Sequence, residues 1–364
     1  MRKRICLSVL AALLVLTVLS AGGCSRNKPR ISGPSKTVTD CAGREAEIPE
    51  DPQRVIAMYA SSAHMMAMLD VGDRIVGAAD GVRRDQLMTT KYPDIENVPA
   101  PFHEGEINVE TVMELNADLL LVKQGTYADE GTRDVLERTG VPYVVIDYTN
   151  FAELQKAIGI MGEVFGRQER AGAYLQYMED TFADVERRIA DVPENERIKV
   201  YHAINQATRT DIRGSLGQEI FHAAGLFNMS ADSGATDTGK NTVITLEQIY
   251  AWDPDALVCN EYLVTDYIKS QKKWASLTAV QNGAVYTLPI GATRWGHHGS
   301  MEPHMAALYL AQLFYPDRFA GLDLRETVRS YYKDYWSMDL DDETIDKILS
   351  GRGMRESSAE LEME

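Results

Sequence analysis

Residues 168–192, QERAGAYLQYMEDTFADVERRIADV, constrain the fold more than any other stretch. Their apolar residues Ala171, Leu175, Met178, Phe182, Val185 and Ile189 recur at spacings of 4, 3, 4, 3 and 4. That is one helical stripe. No Gly or Pro interrupts it after Gly172, so at 1.5 Å per residue it predicts a helix of roughly 35 Å. On either side the chain alternates short β-like runs with helical stretches, the pattern of an α/β protein with parallel strands. A stiff helix between two such series acts as a strut.

The first series predicts strands at 54–59 (RVIAMY), 118–122 (DLLLV) and 142–147 (PYVVID), with RIVGAA as a further strand. Helices are predicted at 61–72, ending in glycine, and at 108–115. The second predicts strands from Ile198 (IKVYHAI), at 255–259 (DALVC) and at 284–289 (AVYTLP), with helices at 215–225 and 245–252. The two series echo each other. Glu110 and Asp118 align with Glu247 and Asp255, each pair 137 positions apart, and an apolar strand follows both. A repeat that long marks two related lobes, because solenoid periods are about 20–50 residues.

The start of the chain indicates where it works. Met1–Arg4 is basic and an apolar run of fifteen residues (5–19) follows, short of the roughly twenty that span a bilayer. This is a secretory signal. It ends in SAGGC, and the arrangement around Cys24 resembles a bacterial lipobox, with Ala21 where Leu is usual. The resemblance implies lipid on Cys24, followed by a flexible polar tether. Removing residues 1–23 takes away Arg2, Lys3 and Arg4 and no acids, so the formal charge moves from −17 to −20. Such a surface repels phosphate backbones and excludes a nucleic-acid partner. Cys41 and Cys259 are expected as free thiols, since two cysteines so far apart declare no disulfide framework.

The densest chemistry is in residues 292–304, ATRWGHHGSMEPH, which hold three of the seven histidines. Loops at the carboxyl ends of the strands face the ligand cleft in a fold of this kind. The candidates are then Tyr59 and His64 in the first lobe, with Lys123, Gln124 and Tyr127 after its next strand. From the second lobe come Arg209, Arg213, Tyr262, Arg294, Trp295, His297 and His298. Ser300 is the expected cap of a following helix, with Glu302 and His304 in its start rather than in the site. His202 and His222 are expected as core or surface histidines. Residues 229–242 are expected as a mobile loop, from their Gly, Ser, Thr and Asp content.

Three chemistries compete for this loop. A bare Zn or Mn site would use His297, His298 and His64 with an added acid. A hydrolase would need a nucleophile elbow or an H-E-x-x-H helix, and neither occurs. The third is a chelated metal brought in whole: Arg suits oxyanions, Trp and Tyr supply stacking area, and His or Tyr can ligate haem iron.

Three stretches carry a family resemblance. VTDCAGREAEIPEDPQRVIAMY, NVETVMELNADLLLV (with Ala117 where Pro is usual) and LAQLFYPDRF resemble, in that order, segments of ABC-importer solute-binding proteins of the iron–siderophore, haem and cobalamin cluster. The resemblance implies an α/β fold of two lobes, each a mostly parallel β-sheet flanked by helices, joined by one long α-helix. It implies a signal at 1–23, a lipid-anchored tether at 24–36, lobes at 37–167 and 193–350, and a disordered acidic tail at 351–364. Function then follows: an exported monomer, lipid-anchored to the outer face of the cytoplasmic membrane, with no catalysis and no intrinsic cofactor. It would carry an iron chelate or haem, with cobalamin or a nickel chelate behind, to an ABC permease and its ATPase subunits. Glu110 and Glu247 would be the acids that meet the permease.

Overall fold

The computed structural model describes residues 31–103, 105–235 and 242–356. The signal segment, Cys24, residues 236–241 and the acidic stretch from Ser357 lie outside them. Folded structure begins at Ser35, inside the expected tether: β1 (Ser35–Thr39) pairs antiparallel with β2 (Glu45–Pro49), and the Lys36 ammonium donates to the Glu163 carbonyl at 2.9 Å.

The first lobe is built on β3 (Val55–Ala57), β4 (Ile75–Ala78), β7 (Leu119–Val122) and β8 (Tyr143–Val145), with β5 (Phe102–His103) and β6 (Glu106–Ile107) a small antiparallel pair beside it. Its order is β4-β3-β7-β8, all parallel. The second lobe repeats the plan with β9 (Lys199–Ala203), β10 (Phe227–Asn228), β11 (Ala256–Cys259) and β12 (Val285–Thr287), in the order β10-β9-β11-β12 and again parallel. Both sheets therefore read second, first, third, fourth.

The internal repeat has a physical basis. Helix α1 (Ala60–Met68) follows β3, and α2 (Val109–Glu114) precedes β7; α3 (Phe151–Phe165) and α4 (Gln168–Ile189) lead to the second lobe, where α5 (Leu246–Trp252) precedes β11. Asn108 caps α2 by accepting from the Thr111 amide, and Thr245 caps α5 by accepting from the Gln248 amide. The Asp118 carboxylate then accepts from the amides of Gln53 and Arg54 at 2.8 and 3.0 Å, and Asp255 accepts from the Lys199 amide at 2.8 Å. In each lobe the aspartate ties the start of the third strand to the first.

The linking helix α4 has 22 residues, and its buried stripe is Ala171, Tyr174, Met178, Thr181, Val185 and Ile189. Leu175 and Phe182 are only partly buried, because the stripe is rotated toward α3 on one side and α6 (Pro303–Phe314) on the other. Helices α7 (Leu324–Trp336) and α8 (Asp342–Ser350) close the chain, α7 packing against α1 in the first lobe. One hydrophobic cluster runs from Val55 in the first sheet through α4 to Ile348. The lobes thus share a core, and α4 is part of it.

Three expectations change. α1 is closed by Asp70 in the left-handed region (φ 61°), ahead of Gly72. Residues 229–232 form a helical turn capped by Asn228, with Met229, Ser230 and Ala231 buried, so the expected loop is ordered at its start. The tail is packed as far as Arg355: Met354 is 1% exposed and the Arg355 side chain 8%. Cys41 and Cys259 are both free thiols.

Candidate functional site

The carboxyl ends of β3, β7 and β12 bring together a cavity of about 180 Å³ lined by Tyr59, Ala60, Ser61, His64, Asp85, Lys123, Thr293, Arg294, His297, His298, Gly299 and Arg355. Six of the twelve candidate residues are here: Tyr59, His64, Lys123, Arg294, His297 and His298. Tyr59, Ala60 and Ser61 are the cap and first turn of α1, so the N-terminal end of that helix, with its partial positive charge, borders the site. The Tyr59 hydroxyl is held by Thr126 at 2.7 Å, and the Lys123 ammonium lies 5.2 Å from its ring centroid.

A buried acid fixes the loop after β12. Glu302 has no exposure; its carboxylate accepts from the Thr293 amide and hydroxyl, each at 2.7 Å, and from the Tyr332 hydroxyl. Burial raises its pKa despite these donors. Gly291 is required here, because a Cβ would overlap the Tyr332 hydroxyl. Ser300 closes the loop by accepting from the Glu302 amide at 3.0 Å, and α6 starts one residue later with Pro303. The other lobe and the strut hold the loop too. The Tyr148 hydroxyl donates to the Ser300 carbonyl at 3.3 Å, and Tyr174 of α4 donates to the Met301 carbonyl.

Arg294 donates to Glu261 and to Asn205, both at 2.7 Å. His297 and His298 stack with ring centroids 3.8 Å apart. His297 Nδ1 accepts from the Gly299 amide at 3.1 Å, so its proton is on Nε2 and the ring is a hydrogen-bond donor. Burial, then the adjoining His298 and the charges of Arg294, Lys123 and Arg209, push His297 well below the usual histidine range. The His298 ring reaches solvent at the mouth, yet the enclosing walls and the cations Lys123, Arg294 and Arg209 bring it down to about 4. His64 is buried, 2.9 Å from Asp85, and desolvation and Arg355 lower it to about 3. All three rings are neutral at neutral pH.

Six candidates are elsewhere. Gln124 lines a separate pocket beside Asp147, and Arg213 donates to the Asp232 carbonyl at 3.3 Å. Trp295 is fully buried with its ring edge-on to Tyr309 of α6, because the loop turns its indole into the core. Tyr127 packs on Tyr143 with Arg133 and Arg44 over its ring. Tyr262 lies under Arg352 at 4.8 Å. Arg209 does not line the cavity, though its charge acts on Arg294 and both histidines. Sequence reasoning missed Asp85, in a short turn without a motif, and Arg355, which was assigned to a disordered tail. The hydrophobic Met354 between Arg352 and Arg355 was the available signal.

Glu110 and Glu247 are exposed, each in the first turn of its helix. His202 is buried in β9 against Asp211, and His222 pairs with Asp232. Among the described residues no three His, Cys, Asp or Glu side chains converge on a metal position.

The family described as periplasmic binding protein matches residues 55–290. The chain belongs to the periplasmic binding protein family. As a periplasmic binding protein of the ABC-importer type it binds a solute and is not an enzyme. It is 23% identical over 351 residues to the molybdate-binding protein MolA of Haemophilus influenzae, covering 90% of this chain and 96% of that one. The structure of MolA bound to molybdate superposes with a TM-score of 0.75 at 21% identity, covering 84% and 99%. The substrate-binding lipoprotein YvrC of Bacillus subtilis is 25% identical over 333 residues, 88% and 99% of the two chains. Helicobacter pylori CeuE with Ni(II) bound superposes at a TM-score of 0.71 and 21% identity, covering 86% and 99%.

Proposed function

We propose that this binding protein captures a compact tetrahedral oxyanion of the molybdate class outside the cytoplasmic membrane and delivers it to an ABC permease. One observation carries the reading: the cavity is small and three cations line it against one acid, Asp85. At about 180 Å³ it is below the roughly 300–1,000 Å³ of sites that enclose drug-sized ligands. Lys123, Arg294, Arg355, His297 and the first turn of α1 line it. Helix N-termini and arginine forks are the usual means of holding oxyanions. The likeness to MolA supports the same class.

Cys24 anchors the chain through lipid, and Glu110 and Glu247 dock the two lobes on the permease, where rim charges steer and orient. Among the described residues no helix is long and apolar enough to cross a membrane.

A second reading, the iron complex implied by the sequence resemblance, is favoured by the neutral state of His64, His297 and His298, the form that ligates metals. A siderophore or haem would need the lobes to part before it fitted. A thermal-shift panel of molybdate, tungstate, sulfate, phosphate, a ferric siderophore, haem and nickel–histidine separates the two. Molybdate or tungstate should raise Tm; a rise with the iron complexes alone would replace the first reading by the second.

A further inference from the structure

The C-terminal segment crosses between the lobes at the cavity. Arg352 is held on the second lobe, its guanidinium 2.6 Å from Asp266 and stacked on Tyr262. Three residues later the chain is on the first lobe. The Gln86 amide donates to the Met354 carbonyl at 3.0 Å, and Arg355 forms a lone antiparallel bridge with Asp85. The Arg355 side chain is 8% exposed and its Nη1 donates to the Asp85 carboxylate and, at 3.1 Å, to the Gly81 carbonyl. Its Nε–H is buried without a partner among the described residues. A buried donor left unpaired costs about 1–3 kcal/mol. A clamp on Asp85 alone does not account for that cost, because Nη1 already makes it.

We infer that Arg355 is an oxyanion-binding residue, delivered to the site by the segment beyond α8, and that its unpaired donor edge completes the cation wall opposite Lys123 and Arg294. The inference rests on the oxyanion reading above. Asp85 is then a positioning residue, taking one edge of the guanidinium while His64 Nε2 takes its other oxygen at 2.9 Å. Its negative charge also offsets part of Arg355's pull on an anion. Removing the acid and removing the base therefore act in opposite directions.

Calorimetric titration with sodium molybdate of the chain from Cys24 onward tests this, with the melting temperature of each free protein as the fold control. Arg355→Gln should weaken molybdate by about tenfold or more, the worth of a charged hydrogen bond. Arg355→Lys should keep part of the affinity. Asp85→Asn should bind molybdate at least as tightly as wild type. If Arg355 only pins the segment, Arg355→Gln and Asp85→Asn will lose affinity together, and the inference is overturned. Wild-type affinity in Arg355→Gln overturns it as well. If wild type itself ignores molybdate and tungstate, the oxyanion reading fails and this inference falls with it, an outcome distinct from the other two.

Discussion

Arg294 Nη1 lies 2.7 Å from Glu261 Oε1, a carboxylate with no exposure to solvent. The pair ties one of the cavity's three cations to the cap of the helix at Tyr262–Ser270. Breaking a buried pair by removing one partner costs about 3–5 kcal/mol, because the other charge is left uncompensated. Arg294→Gln should therefore lower both Tm and anion affinity. The double variant with Glu261→Gln should recover most of the Tm and none of the affinity. Denaturant melts and titrations of the three variants check this; recovery of binding in the double variant would remove Arg294 from the site.

His304 gives a pH prediction. It is enclosed by Tyr174, Tyr177 and Tyr331 with neither ring nitrogen partnered, and burial lowers it to about 3. The folded state refuses a proton that the unfolded chain accepts near pH 6.5. Stability is therefore full above that pH, falls progressively as pH drops below it, and the loss is complete at the folded values, about 3 for His304 and His64 and about 4 for His298. His304→Leu should flatten the fall of Tm between pH 6.5 and 4. An unchanged slope would mean that other groups set it.

Two glycines should respond with opposite signs. Gly291→Ala drives a methyl group into the Tyr332 hydroxyl and Glu302, so Tm should drop and the loop carrying His297 and His298 should exchange amide protons faster. Gly159, exposed in α3, has nothing within 4 Å of a new Cβ. Gly159→Ala should stabilise the protein by about 0.5–1 kcal/mol. Urea midpoints decide both.

Docking separates from binding. Glu110→Lys with Glu247→Lys should abolish uptake in cells while leaving the ligand titration of the purified protein within about twofold of wild type, since rim charges orient partners rather than hold the solute. Normal uptake by the double variant would place the permease contact elsewhere.

The two lobes, the strut and the repeat were legible because each rests on local chemistry: apolar period, caps at Asn108 and Thr245, and the aspartates 118 and 255 that open a strand. Element ends moved by a few residues where a cap decided them, as at Asp70. The site was legible as loops and less so as side chains. His297 and Trp295 sit two positions apart in one loop, yet the first faces the cavity and the second the core. Nothing in the local sequence distinguishes them, because the choice is made by Tyr309 and Glu302 from other elements. Asp85 and Arg355 meet across 270 positions, a pairing with no local trace.

The central claim is that a small anion is the cargo. Isothermal titration of sodium molybdate into wild type and Lys123→Gln tests it most directly. The account predicts one-to-one binding at about 1 µM or tighter, weakened about tenfold by loss of the Lys123 charge. No heat with molybdate or tungstate, together with tight binding of a ferric siderophore or haem, would contradict it.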